Sequence, residues 1–385
     1  MIDYQKIKEK FGTPTYVYDI NTLLDRVSYL KKKLPNTNMV YAVKANTFIA
    51  KEIDEAVERF EICSPGEFDV CNKLGLDHNK MVISGVNKDK VFIDRLISNY
   101  DDIGIYTIES ITHYNILDEL TKKYNKNIKV LIRLTSGNQF GVSEEDFKYI
   151  VKNCSSNISI EGIEYFSGTQ KHSIKKINRE MDYLLDFTKQ IEIEYNCKLK
   201  EIEYGPGLPI YYFQDDDFNE DEFLDEVSSA LSKLSDYEVS LEIGRSIAAS
   251  CGSYLTSVVD LKSNKNGNSV IVDGGMNHIV YYGQTMAMRI PYYEVLPNYE
   301  DEIVNYNIYG SLCTVNDIIV KNINTRKLNI NDTFVFKNVG AYSITEGISL
   351  FLTRDLPKVV IVNKNNDMLL VRDTIRTSEI NFPNY

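Results

Sequence analysis

From residue 22 to about 245 the chain alternates short apolar runs with longer segments whose apolar residues fall three and four positions apart. The runs at 39–43, 60–63, 81–84, 103–107, 128–134, 162–166, 201–204 and 239–242 predict strands, about eight in all. The segments between them, such as FIAKEIDEAVERF (48–60), ESITHYNILDELTKKY (109–124) and HSIKKINREMDYLLDFTKQIEIEYN (172–196), predict amphipathic helices. Strand–helix alternation favours a parallel sheet, and eight repeats favour a closed (β/α)8 barrel over an open doubly wound sheet. After Arg245 the pattern becomes β-rich: SVIVDGG, EIVNYNIYG, DIIVKN, DTFVFKN and KVVIVNKNNDMLLVRD are separated by turn residues rather than helices. The last run predicts a hairpin turning near Asn365, Asn366 and Asp367. The expected fold is therefore α/β, with a barrel over 22–247 followed by an all-β C-terminal domain over 248–385. A strand from 1–21, PTYVYD at 14–19, is expected to join that second domain.

Composition narrows the class. An apolar content of 43% over 385 residues is enough for sizeable cores. A net charge of −12 opposes a nucleic-acid partner, because phosphates would be repelled. No apolar stretch approaches the length of a membrane span, and the first residues lack the basic-then-apolar pattern of a leader. Six scattered cysteines contain no CxxC, and four histidines show no metal-ligand spacing. These features lead us to expect a cytoplasmic, reduced protein with neither metal nor membrane association.

In a (β/α)8 barrel the chemistry sits at the C-terminal strand ends, so each exit can be read in turn. The first run, MVYAV, leads directly into Lys44. A lysine there is usually a surface residue with a snorkelling stem; the alternative is a catalytic amine in an apolar mouth, able to form a Schiff base. The second exit carries Glu61 and CSPGE with Glu67, and the fifth strand carries Arg133. The sixth exit is FSGTQ with Phe166 and Thr169, the seventh YGPGLP with Gly205 and Gly207, the eighth EIGRS with Glu242, Gly244 and Arg245. Small residues at the last two exits let backbone N–H groups approach a phosphate, and Thr169 adds a hydroxyl. A lone Gly-Pro-Gly is most often a tight turn, but three such exits beside a strand-end lysine suggest pyridoxal 5′-phosphate (PLP). Glu242 would then face the pyridine nitrogen.

YAVKAN, CSPGE, FSGTQ, YGPGLP, EIGRS, DGGMN, GSLCT and GAYS follow in the order of the diaminopimelate/ornithine decarboxylase family, which the chain resembles over nearly its whole length. The resemblance implies a PLP barrel of the alanine-racemase type, a β domain, and a homodimer with shared active sites. It implies that Lys44 is the imine lysine and Glu242 the pyridinium partner. Gly207, Gly244, Arg245, Thr169 and Tyr342 of GAYS match phosphate-site positions, and Glu61 and Glu67 match carboxylates near the cofactor and lysine. Cys313 of GSLCT matches a cysteine that the partner subunit contributes as an acid. Alone, it would read as a small buried hydrophobe.

The departures fall where the family reads substrate. Phe166 replaces a histidine that stacks on the cofactor, an arginine for a distal carboxylate is replaced by Tyr281, and the tyrosine after it by Thr285. Thr314 follows Cys313 where an acid would meet a far ammonium. The resemblance therefore points to α-decarboxylation of a side-chain-modified or carrier-protein-linked amino acid, close to the branch acting on conjugated substrates in natural-product or siderophore-type biosynthesis. A free small-molecule amino acid such as meso-diaminopimelate, lysine or ornithine is the alternative. A racemase and a PLP-binding regulatory protein are disfavoured by Cys313 and by the β domain. The basic segment KHSIKK (171–176) is compatible with an acidic carrier or a pantetheine phosphate, although a solvated helix start is the ordinary reading of such a segment.

Overall fold

The computed structural model describes residues 2–265 and 267–383. Met1, Asn266, Asn384 and Tyr385, which belong to the ranges expected for the second domain, lie outside the described residues. Chain contacts divide the molecule into a sheet unit (1–25, 210–218 and 248–385) and a barrel unit (26–209 and 219–247). The excursion at 210–218 interrupts the contiguous 22–247 range. It is tied to the sheet unit by Arg289, whose guanidinium reaches Asp215 at 2.9 Å and Asp216 at 2.7 Å, and by Gln214 N donating to Ile290 O at 2.8 Å.

The sheet unit begins with the helix Tyr4–Phe11, followed by strand β1 (Thr15–Asp19), which pairs with distant sequence. The barrel closes on eight parallel strands: β2 (Thr37–Ala42), β3 (Arg59–Ile62), β4 (Met81–Ile83), β5 (Ile105–Ile108), β6 (Ile128–Leu134), β7 (Ile158–Phe166), β8 (Glu201–Gly205) and β9 (Glu238–Ile243). Helices connect most of them, several started by a polar cap such as Ser110 before Ile111–Tyr124 or Ser173 before Ile174–Tyr195. The helix expected over 48–60 does not form; that connection is made of single turns at Thr47–Ile49 and Asp54–Ala56. Its apolar residues Ile49, Ile53 and Val57 are buried all the same. Glu58 accounts for the early end: its N–H donates to Met39 O at 3.0 Å and its carboxylate accepts from Met39 N at 2.7 Å, committing the chain to strand pairing.

Strand register decides what lies inside the barrel. Val40, Val82, Ile105 and Leu131 form one apolar cluster. Across the ladders, Val40 is paired with Glu242, Val82 with Glu61, Arg133 with Glu164, and Glu164 with Glu203. Partners in a parallel ladder share a face, so these charged residues share the interior with the apolar cluster.

The sheet unit continues with β10 (Gly252–Asn264), β11 (Gly267–Val272), β12 (Tyr293–Leu296), β13 (Ile303–Tyr309), β14 (Ile318–Arg326), β15 (Thr333–Lys337), β16 (Lys358–Val362) and β17 (Met368–Arg372). Strand β1 lies between β10, antiparallel, and β16, parallel, and β16–β17 is the expected hairpin. Ile7 of the first helix packs with Val17, Leu255, Val335 and Val362 in this unit's core. Among the described residues no helix is long and apolar enough to cross a membrane, and no His, Cys, Asp and Glu group is placed to hold a metal.

Candidate active site

Lys44 lies not at the strand end but in the turn beyond it, since β2 stops at Ala42 and Val43–Ala45 form a single 3₁₀ turn. The motif around it is structural: the buried Tyr41 hydroxyl donates to Asn46 O at 2.9 Å, and the Asn46 side chain caps the next turn through Phe48 N at 3.0 Å. The Lys44 ammonium donates to Glu61 Oε2 at 2.5 Å and Glu242 Oε1 at 2.9 Å, and stands 3.7 Å from Cys63 Sγ. The apolar mouth expected for this lysine is thus replaced by two carboxyl groups, brought in by the last turns of β3 and β9.

These two carboxyls have opposite electrostatics. Burial works to raise Glu61, but the Lys44 ammonium and hydrogen bonds from Glu242, Lys44 and Cys63 outweigh it and hold the carboxyl at about 2. Burial and the neighbouring charge of Glu61 push Glu242 up to about 7, with Lys44 opposing. Two carboxyls facing one cation therefore favour one ionised and one protonated group. The Cys63 thiol, 3.1 Å from Glu61 Oε1, is pushed well up by burial and by that charge, so it acts as a donor.

Glu67 serves the local fold. Ser64 caps the helix Pro65–Lys73 by accepting from Glu67 N at 3.1 Å, and the Glu67 carboxylate returns to accept from Cys63 N at 2.7 Å. CSPGE is therefore a reciprocal cap that fixes the strand exit. Arg133 is enclosed by Glu109 and Glu164, each at 3.2 Å, with the Phe140 ring 4.9 Å from its guanidinium carbon.

The remaining exits form a cradle of close backbone approaches. Gly207 has φ +58°, and a Cβ there would lie 2.1 Å from Gly168 O; one on Gly205 would lie 2.3 Å from the Phe166 ring. Arg245 Nε donates to Thr169 Oγ1 at 3.3 Å, joining the exits of β7 and β9, with Gly244 immediately before Arg245. Tyr281, Cys313, Thr314 and Tyr342 belong to the sheet unit. Cys313 is exposed, not the buried hydrophobe its residue type suggests. Tyr342 is half-buried with φ +65°. Tyr281 is buried between Tyr212 and Phe213 and donates its hydroxyl to Lys337 O at 2.8 Å. One face of it lines a cavity of about 390 Å³ with Ile279, Gln284, Met286 and Ile319.

Sequence reading missed Cys63, Glu109, Glu164 and Glu203. Alternation would have found two of them: Glu164 and Glu203 stand two residues before Phe166 and Gly205, on the same strand face. The basic segment at 171–176 also changes meaning, because Lys171 is buried in an ion pair with Glu180 at 3.0 Å. Only His172 and Lys175 of its basic residues are exposed.

Residues 15–340 match the family model described as "Pyridoxal-dependent decarboxylase, C-terminal sheet domain". The chain is 26% identical to a diaminopimelate decarboxylase of Campylobacter jejuni, covering 89% of each chain. It is also 26% identical to the L-glutamyl-[BtrI acyl-carrier protein] decarboxylase of Niallia circulans, over 95% of this chain and 92% of that one. In fold it is similar to a Helicobacter pylori diaminopimelate decarboxylase crystallised with L-lysine, with a TM-score of 0.86, 21% identity and 98% coverage of both chains.

Proposed function

The chain belongs to the pyridoxal-dependent decarboxylases, and from that premise we propose that it removes the α-carboxyl group of an amino acid whose side chain is acylated or carrier-linked. The coarser statement, a PLP-dependent amino-acid decarboxylase, follows from the family and its relatives.

The residues present fit that cofactor: a lysine held beside a buried carboxyl, and a glycine cradle that a Cβ would fill. Lys44 would hold the aldehyde carbon and Glu242 would meet the pyridine nitrogen. Thr169, Gly205, Gly207, Gly244 and Arg245 would hold the phosphate and Phe166 would meet the ring face; Tyr342 is added to the phosphate residues by the resemblance alone. When bound, PLP supplies an electron sink for the pair left at Cα as CO2 departs. Glu242, raised to about 7 in the cofactor-free protein, would share a proton with that nitrogen near neutral pH. Glu61 stays ionised as the counter-charge to the Lys44 ammonium. Cys313, exposed on the sheet unit, is the acid assigned to return a proton to Cα.

The finer reading is supported chiefly by Tyr281, whose hydroxyl is given to a backbone carbonyl and whose ring borders a mainly apolar cavity. Thr314 likewise carries no charge for a distal ammonium. The relative named for a carrier-bound glutamyl group favours the same substrate class. Free diaminopimelate is the second reading, favoured by relatives bearing that name.

Product analysis by mass spectrometry separates the two. The PLP-loaded protein is offered free diaminopimelate, lysine, ornithine and glutamate beside acylated and carrier-linked forms. Loss of CO2 from the conjugates alone is expected; rapid turnover of a free diamino acid would overturn the reading of Tyr281 and Thr314. Lys44→Ala is expected to abolish turnover and the mass gain on the Lys44 peptide after borohydride reduction of the PLP-loaded protein.

A further inference from the structure

We propose that the buried Lys171–Glu180 pair is a positioning device for the phosphate loops, holding the turns after β7 and β8 in the arrangement that receives the phosphate of PLP. The inference rests on the reading of those loops as the phosphate site.

Lys171 sits two residues after Thr169, and its side chain runs against Gly207 of the cradle. Its ammonium donates to Ser167 Oγ at 3.0 Å, Glu180 Oε2 at 3.0 Å and Tyr204 OH at 3.1 Å, matching its three N–H groups with three acceptors. Both hydroxyls pass their own protons to Glu180, Tyr204 OH to Oε2 at 2.5 Å and Ser167 Oγ to Oε1. The result is a closed network of buried Lys171, Glu180 and Tyr204 with half-buried Ser167, in which each partner fixes the direction of the next. Ser167 belongs to the β7 exit, Tyr204 to β8, and Glu180 to the helix Ile174–Tyr195.

The network touches the cradle directly. Lys171 N donates to Gly207 O at 2.8 Å, and Lys171 Cε lies 2.9 Å from where a Gly207 Cβ would stand. Thr169, on the same loop, is the acceptor for Arg245 Nε. Lys176 adds a hold on the loop through Ser167 O at 3.2 Å. A buried ion pair is a poor source of stability, since apolar residues of similar volume often replace one at no loss. What apolar residues would not supply is the fixed direction of Ser167 and of the loop that follows it.

The test compares two ligands on cofactor-depleted protein: PLP and pyridoxal, which lacks the phosphate, each titrated by absorbance, with urea unfolding in parallel. In Lys171→Met/Glu180→Gln neither charge of the pair remains and the amide can still accept from the hydroxyls, so unfolding is expected to stay close to wild type; what is lost is the ammonium that ties Ser167 and Tyr204 to the loop carrying Thr169. Affinity for PLP is expected to fall by about tenfold or more while that for pyridoxal changes by less than about twofold. Equal losses for both ligands, or an unchanged PLP affinity, would overturn the positioning role. Should the double variant not fold, Tyr204→Phe removes one acceptor of the ammonium and is expected to shift the PLP-to-pyridoxal ratio the same way; an unchanged ratio refutes the proposal. Wild-type protein that bound both ligands equally would instead overturn the phosphate reading beneath it.

Discussion

Glu242 is the residue whose protonation the fold most directly controls at the candidate site. It shares one ammonium with Glu61, which is ionised down to about 2, so its own carboxyl keeps its proton up to about 7 against an ordinary value of 4.5. A carboxyl raised in the folded state contributes stability that is present below pH 4.5 and lost as pH rises through about 7. Glu61 has the opposite sign: its contribution is present above 4.5 and lost as pH falls through about 2. Glu164, raised to about 8 by burial, adds a slope of the same sign as Glu242. In Glu242→Gln the Glu242 part disappears, and the Glu164 slope, which the Glu242 charge helps to raise, shrinks with it. Urea unfolding of cofactor-free protein should therefore find Glu242→Gln gaining on wild type between pH 5 and pH 8, by about 1–3 kcal/mol. A difference between the two proteins that stays flat with pH would mean that Glu242 is already ionised at pH 5.

At the scale of elements, the loops carrying chemistry are organised by buried polar residues that glycines make room for. Asp317 shows this in the sheet unit. Its carboxylate accepts from Met276 N at 2.8 Å and Leu312 N at 2.7 Å, so DGGMN and GSLCT are joined through one side chain. A Cβ on Gly275 would stand 2.6 Å from that carboxylate, and one on Gly310 would stand 2.3 Å from it. Asp317→Ala leaves two backbone donors without this acceptor, and a loss of about 2–4 kcal/mol in unfolding free energy is expected. The rate of Cα protonation, read from deuterium incorporation in the product, should suffer beyond that loss because Cys313 stands on the loop. Much of this was legible in the sequence. The barrel strands announced themselves as apolar runs, because their interior and exterior faces are both covered. β10 was missed because its second half, from Val259 onward, is exposed or half-buried and carries Asp260, Lys262, Ser263 and Asn264. Lys171 was misread for another reason: the partner that buries it is nine residues away on a helix, and charge pattern alone does not distinguish a buried lysine from a solvated one. Glu61 and Glu242 were placed by motif, but that both would meet the same ammonium required the closed barrel to bring β3 and β9 to either side of β2.

For the whole molecule, the candidate residues divide between the two units: the amine and its carboxyls on the barrel, the Cys313 thiol proposed to return the proton on the sheet unit. The resemblance to the decarboxylase family implies that a complete site takes its barrel from one subunit and Cys313 from another. That arrangement makes a prediction that neither unit makes alone. Lys44→Ala protein and Cys313→Ala protein, each inactive or slow by itself, are mixed in equal amounts, unfolded in urea and refolded together so that subunits redistribute. Half of the resulting dimers are mixed, and each holds one site with both residues intact and one with neither, so about a quarter of wild-type activity should return. If Lys44 and Cys313 of the same chain formed the site, every site would lack one of them, and the mixture would be no more active than the mean of its components. Sedimentation of the same samples fixes the denominator, because only a protein that is dimeric at the assay concentration can show the recovery.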